Sequence, residues 1–480
     1  MSMSKREGET QTDLWIPTTE LARSPGHPFY ERLNKILAGA GFDAFVEKLC
    51  APFYAKKNGR PSIAPGIYVR MLMVGYFEGL RSEREIDWRC ADSLSLRAFL
   101  GYGLSKKTPD HSTLCRIRQR LDLETHRALF TFVLKVLAEK GLLKGKTLGI
   151  DTSTLEANAA MKSIVRRDSG EGYDSFLESL AKESGIETPT RADLARLDKK
   201  RKKKASNDDW QNPNDPDAEI TKLKDGRTHL AHKVEHAVDL DSGAVMAITI
   251  QPGARGDTQT LPETLGVVLD NTAALLRDPR SAKHVPARAL VELVSDRGYH
   301  SNETMMLTAA TGWRSYISEP ERGRRDWQDK ESAKRATYAN RRRIKGERGK
   351  ALMRRRGELL ERTFAHTLES GAMRRVFLRL RDNILKRYLV HVAAFNLSLV
   401  MRAILGVGTP RELRGRLRLA LEALSVVLDR IVGDFCRLLG DLDRQIPPTG
   451  RLNRGAPGSA WPPAIARCQR RLPQHDEVRS

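Results

Sequence analysis

The chain is poor in cysteine, and what it has is arranged for neither disulfides nor zinc. Cys50, Cys90, Cys115, Cys436 and Cys468 are odd in number, widely spaced and form no CxxC pair. That spacing argues against a disulfide framework or a zinc knuckle, and it fits a reducing compartment. A basic-then-apolar leader is also missing, since Met1 to Arg23 is polar and mixed in charge, so no signal peptide is expected. The most apolar stretch, Tyr388 to Val407, is interrupted by His391, Asn396 and Arg402. Such a stretch predicts a buried core helix rather than a membrane span, and a soluble, cytoplasmic protein with no membrane partner is expected.

Positive charge is abundant. The 480 residues hold 83 Lys and Arg against 60 Asp and Glu, a net charge of +23. A surface of that sign makes a phosphate backbone the expected large partner. An apolar fraction of 40% can supply the cores of two or three domains.

The hydrophobic period divides the chain. Residues 1–26 are polar, hold Pro17 and Pro25, and read as a flexible lead-in. Residues 27–143 read as an all-helical module, with helices expected over Ser82–Cys90, Ser93–Leu100 and Ser112–Leu121, the last capped by Asp110 or Ser112. In that last helix Leu114, Ile117 and Leu121 form an apolar stripe. Arg116, Arg118 and Arg120 are expected to point away from it, toward phosphates. From Lys144 the period becomes strand-like, and 144–405 reads as a mixed α/β domain. Its strands are expected at Thr147–Ile150, in a hairpin of His229–Val238 with Ala244–Gln251, at Ala289–Ser295 and at Trp313–Ser318. Residues 156–226 interrupt it as a polar, basic, partly disordered insertion. Its run Lys199–Lys204 fits a localisation signal, a phosphate contact or mere solvation. In 406–446, Leu417, Leu421, Leu424, Leu428, Ile431, Phe435 and Leu438 recur as a heptad seam, suited either to self-association or to packing on the same domain. Pro, Gly and Arg dominate 447–480, and disorder is expected there.

Three carboxylates stand out. Asp151 ends the apolar run Leu148-Gly149-Ile150, and Asp296 ends Val291-Glu292-Leu293-Val294-Ser295 ahead of Gly298. Glu361 lies on a helix expected from about Arg355, at the margin of the stripe Leu360, Phe364 and Leu368. Carboxylates on strand ends and a facing helix can hold Mg²⁺, and Mn²⁺ would serve the same oxygens. Residues 322–356 hold fifteen Lys or Arg against four Asp or Glu and lead into the Glu361 helix. Arg341, Arg342, Arg343, Arg354, Arg355, Arg356 and, beyond them, Arg362 are therefore candidate phosphate contacts. Trp327 and Tyr338 could stack on unpaired bases or serve as local packing anchors.

Several of these segments together resemble the DDE transposases of bacterial insertion sequences. The core motifs are Gly149-Ile150-Asp151-Thr152-Ser153, the hairpin around Asp239-Leu240-Asp241-Ser242-Gly243, Ser295-Asp296-Arg297-Gly298-Tyr299 and Glu361-Arg362-Thr363-Phe364-Ala365-His366. Arg60-Pro61-Ser62, Gly79-Leu80-Arg81-Ser82-Glu83-Arg84-Glu85 and Pro109-Asp110-His111-Ser112-Thr113-Leu114 resemble the helical domain that precedes the core in these enzymes. The resemblance implies an RNase H-like mixed sheet with flanking helices, preceded by an all-helical DNA-binding domain. Asp151, Asp296 and Glu361 would be its metal-binding triad. It also implies binding of terminal inverted repeats, cleavage at the element's ends, transfer of a 3′-hydroxyl into target DNA, and at least a dimer on DNA. One departure is plain: the Lys that relatives often carry seven residues after the Glu is Leu368 here, and Arg362, Arg374 and Arg375 are the candidates to replace it. A nuclease without strand transfer and a non-catalytic DNA-binding regulator are the rival expectations.

Overall fold

A computed structural model describes residues 26–55, 62–201, 205–222, 226–286, 291–321, 323 and 325–415. The expected lead-in, most of the expected helix at 406–446 and all of 447–480 lie outside these residues, as do Lys202 to Lys204, Arg322 and Arg324.

Helices fill the first part: α1 (Pro28–Gly39), α2 (Phe42–Cys50), α3 (Pro65–Glu78), α4 (Glu83–Asp92), α5 (Leu94–Leu100), α6 (His111–Arg120) and α7 (Leu123–Glu139). Their starts follow from side-chain caps. Ser82, Ser93, Asp110 and Asp122 each accept a hydrogen bond from the backbone N–H three residues on, satisfying a donor that the first turn leaves open. Gly79 and Gly101, at left-handed φ, close α3 and α5.

The period change after Lys144 coincides with the first strand. The remaining elements are β1 (Thr147–Glu156), β2 (Val165–Arg166), α8 (Tyr173–Glu183), α9 (Arg191–Lys200), β3 (Trp210–Gln211), β4 (Glu219–Lys222), β5 (Thr228–Asp239), β6 (Val245–Pro252), α10 (Asp257–Arg277), α11 (Pro279–Ala282), β7 (Glu292–Ser295), α12 (Asn302–Ala310), β8 (Arg314–Ile317), α13 (Glu331–Lys345), α14 (Glu347–Phe364) and α15 (Arg381–Leu405). β1 lies between antiparallel β5 and parallel β7, β8 extends the sheet parallel to β7, and β4 and β6 pair with β5. This is a mixed sheet with flanking helices, as the sequence led us to expect, with the helical part ahead of it. The β5–β6 hairpin turns at Asp241-Ser242-Gly243, where Gly243 takes φ 79°, open to a residue without Cβ.

One hydrophobic cluster runs from Phe29 in α1 to Met401 in α15, so helices and sheet share a core. α15 passes a length and composition test for a membrane span, yet most of its residues are buried against α3, α7 and β6. The helix carrying Glu361 begins at Glu347, eight residues before the expected start. Its first turns are polar and basic, and they carry no apolar period from which a start could be read.

The described residues of the insertion fold around a small core in which Ile164, Trp210 and Ala218 pack with Leu230 of β5. Tyr173 and Phe176 pack edge-on against Trp210 at 5.1 and 5.3 Å. A few aromatic rings concentrate enough apolar area to order a polar segment.

Gly149 shows how closely α14 is pressed to the sheet. A Cβ there would meet Leu240 Cδ2 at 2.5 Å and Leu360 Cδ1 at 3.2 Å. Gly149→Ala is therefore expected to cost about 1–3 kcal/mol as the helix is forced outward. A denaturant midpoint equal to that of the wild type would show that the contact has more slack than this.

Candidate active site where two parallel strands part

Register brings two of the three carboxylates together. In the parallel β1–β7 pair Gly149 lies opposite Val294, so two residues further on Asp151 and Asp296 stand level. Pairing with β7 has stopped by then, which opens β1 to solvent on that side. One cation serves both: the Arg356 guanidinium, from α14, is 2.8 Å from Asp151 Oδ2 and 3.8 Å from Asp296 Oδ2. Arg356 also donates to the Ile150 carbonyl at 3.4 Å. Burial pushes the Asp151 carboxyl up to about 6, with Asp296 and Asp257 adding to the rise and Arg356 opposing it. The ionised form of Asp151 thus lacks solvation and gains from any positive partner.

Glu361 is not brought to this pair. It follows Arg356 by five residues, about 140° round the helix axis, and is exposed. Its side chain makes no hydrogen bond or ion pair among the described residues, where no cage of three or more His, Cys, Asp or Glu is found. Immediately after α14 the chain forms a π-helical turn, Ala365–Ser370, a distortion frequent at functional sites.

A third carboxylate near the aspartates escaped sequence reasoning. Asp257, the first residue of α10, accepts from Thr152 Oγ1 at 3.1 Å and pairs with Lys233 Nζ at 2.8 Å. Its other oxygen would collide with a Cβ on Gly298, so the turn after Asp296 needs glycine. In the sequence, Asp257 reads only as an acid at a helix start, and nothing local links it to Asp296.

The two faces of β1 and β5 are held by different networks. On one, Glu235 is fully buried and accepts hydrogen bonds from Tyr299 Oη (2.6 Å), Thr260 Oγ1 (3.1 Å) and Thr264 Oγ1. These bonds tie the Asp296 turn to α10. Burial nevertheless raises Glu235 to about 7. On the other face His236, paired with Asp151 across the strands, contacts Thr363 Oγ1 at 3.1 Å and Tyr388 Oη at 2.8 Å, and Phe364 stacks on its ring at 4.4 Å. This fixes α14 to the sheet beneath the acidic pair.

The candidate phosphate contacts divide. Arg116, Arg342 and Arg354 are exposed and lack an ion pair among the described residues. Arg120 is exposed and lies over the Tyr54 ring at 4.9 Å. Arg118 corrects the sequence reading: it turns inward, is buried, and pairs with Glu83. Arg341 pairs with Glu319, Arg362 pairs with Glu358, Arg343 donates to Ser315, and Arg355 caps the carbonyls of Leu240 and Asp241. Arg325 lies over the Trp327 ring at 4.2 Å and Arg341 over the Tyr338 ring at 4.8 Å, and Tyr338 remains exposed. Leu368 is a core residue, fully buried. Of the candidates to replace the missing Lys, Arg374 comes nearest β1 beyond Asp151, donating to Ser153 Oγ at 2.9 Å and to the Thr154 carbonyl at 3.0 Å.

Acid stability follows from buried groups of opposite sense. Burial lowers His126 to about 4 and His236 and His391 to about 3, so unfolding takes up three protons below the free imidazole value of about 6.5. Asp151 and Glu235 act the other way, holding protons in the folded state that their unfolded forms release above about 4.3. Depressed histidines remove stability as pH falls, raised carboxyls remove it as pH rises, and the histidines prevail because His27 and His366 are lowered as well. From pH 6 to 5, metal-free protein should therefore lose stability. Urea midpoints at the two pH values check this, and a gain on acidification would contradict it.

Comparison with curated proteins gives no match, and neither does comparison with solved structures. Residues 19–120, which span α1 to α6, match the family model described as Transposase domain (DUF772).

Proposed function

We propose that the protein is a DDE transposase that binds the terminal inverted repeats of its element, cuts the element's ends and joins the freed 3′-hydroxyl to target DNA. The level pair Asp151 and Asp296, sharing one cation just past the point where β1 stops pairing with β7, carries this reading. The all-oxygen donor set and a guanidinium already standing in for positive charge fit a hard divalent ion. Asp151, Asp296 and Glu361 would hold Mg²⁺ or Mn²⁺. When bound, the ions would supply the charge that lowers the pKa of the attacking oxygen and offsets that on the leaving oxygen.

The chain's own residues prepare the rest. β1 and β7 fix the aspartates on rigid elements, and the buried Glu235 and His236 networks hold α10 and α14 around them. For Glu361 to join the pair, Arg356 has to give up its place between the aspartates, and a scissile phosphate is a suitable new partner. Arg374, beside Ser153, takes the part of the missing Lys. Arg116, Arg342 and Arg354 are free to meet phosphates along the duplex. Two element ends must be held together, so at least a dimer on DNA is expected, with the protein associated with the nucleoid.

A strand-transfer assay with pre-cut ends tests the reading. Joined product is expected in the presence of Mg²⁺. Cutting without any joined product would leave an RNase H-like nuclease, and binding without either would leave a DNA-binding regulator.

A further inference from the structure

A groove of about 810 Å³ separates α4 and α6 from the segment that leads into α15. Arg84 and His111 line one wall, and Phe377, Arg379 and Leu380 the other. The second wall is attached to the candidate active site. Arg375 is bridged to Glu156 at the far end of β1, with the Val376 N–H donating to the Glu156 carbonyl at 3.0 Å.

This wall is built against local preference. Leu380 sits at φ 67°, a conformation that costs a leucine dearly, and it is held there by its N–H donating to Asp215 Oδ1 at 3.0 Å. Asp215 is itself fully buried and bonded to His232 at 3.1 Å. The next N–H, that of Arg381, donates to Asp217 at 2.9 Å. The constraint leaves Phe377, with Arg81 over its ring at 6.0 Å, 41% and Leu380 45% exposed, between Arg379 and, across the groove, Arg84. Neither Arg379 nor Arg84 has an ion pair among the described residues. Strain held in place by buried partners, presenting apolar groups between unpaired cations, suits a ligand with both flat apolar surface and negative charge.

We propose that this groove holds the DNA strand flanking the scissile phosphate, with Arg84 and Arg379 on phosphates and Phe377 and Leu380 against bases or sugars. The proposal deepens the functional reading above and rests on it. From Asp151 to Glu156 is five residues of strand, about 17 Å, which places the groove about five base pairs from the reacting phosphate.

The test measures binding of a labelled random-sequence duplex, with and without an unpaired tail, by fluorescence anisotropy across a salt series. The double variant Arg84→Gln/Arg379→Gln should lower the slope of log K against log salt by nearly 2. Phe377→Ala should weaken binding of the tailed duplex about tenfold and leave the slope unchanged. Leu380→Gly relieves the backbone, so it should melt no lower than the wild type while binding the tailed duplex more weakly. A wild-type slope in the double variant, or undiminished tailed-duplex binding in either single variant, overturns the groove while the catalytic reading stands. Wild-type protein with no salt-dependent DNA binding overturns both.

Discussion

Asp151→Asn is expected to lower DNA cleavage at least about 10³-fold, equivalent to about 4 kcal/mol of barrier, while leaving the fold as stable as before. The substitution keeps shape and volume but removes the charge that a divalent ion or the Arg356 guanidinium requires. Asp151 is already raised to about 6 by burial, so its ionised form is held against solvation in the folded protein. Losing that charge relieves one cost and forfeits the 2.8 Å ion pair, and the two changes largely cancel. Activity lost with stability retained is the pattern of a carboxylate kept for chemistry. Thermal melting and cleavage measured on the same preparation distinguish it from a structural residue, for which both would fall together.

Glu83→Ala is expected to destabilise the protein by about 3–5 kcal/mol. Glu83 lies between two buried guanidiniums, Arg118 from α6 and Arg387 from α15, the latter 3.6 Å away. Side-chain exposures of 9%, 7% and 2% for the three leave almost no water to replace the missing carboxylate. Each arginine also has a buried Nε without a partner, so neither has a second anion to turn to. The cluster joins the helical part to the long core helix, and its loss should loosen α4, α6 and α15 together. Glu83→Ala combined with Arg118→Leu and Arg387→Met should recover much of the loss, because burying three apolar groups avoids stranding a charge. Denaturant midpoints of the single and triple variants check this. A single variant within about 1 kcal/mol of wild type would show that the cluster is solvated.

This cluster shows where sequence reading stops. The motif holding Glu83 was visible, and so was the apolar stripe of α6, yet Arg118 was assigned to the outer face because its partner lies 35 residues upstream. Helix caps, by contrast, are written within four residues, which is why Asp110 and Ser93 marked their helices. The strands around Asp151 and Asp296 were legible from apolar runs. That the two stand level was not, because it depends on a parallel register between residues far apart in the chain. Asp257 and Glu235 gave no signal, since one resembles any helix-start acid and the other any polar residue on an alternating strand. Glu361 was placed at the margin of its helix stripe, and the structure puts it on α14 but exposed and apart from the aspartates.

Glu361 is therefore where the account is most open to contradiction. The decisive measurement is Mg²⁺-dependent cleavage of duplexes carrying the element's ends, comparing wild type with Glu361→Gln, with DNA binding followed in parallel. The account predicts cleavage by the wild type only when Mg²⁺ or Mn²⁺ is present, and none by Glu361→Gln at undiminished binding. Cleavage by Glu361→Gln at the wild-type rate would contradict the triad.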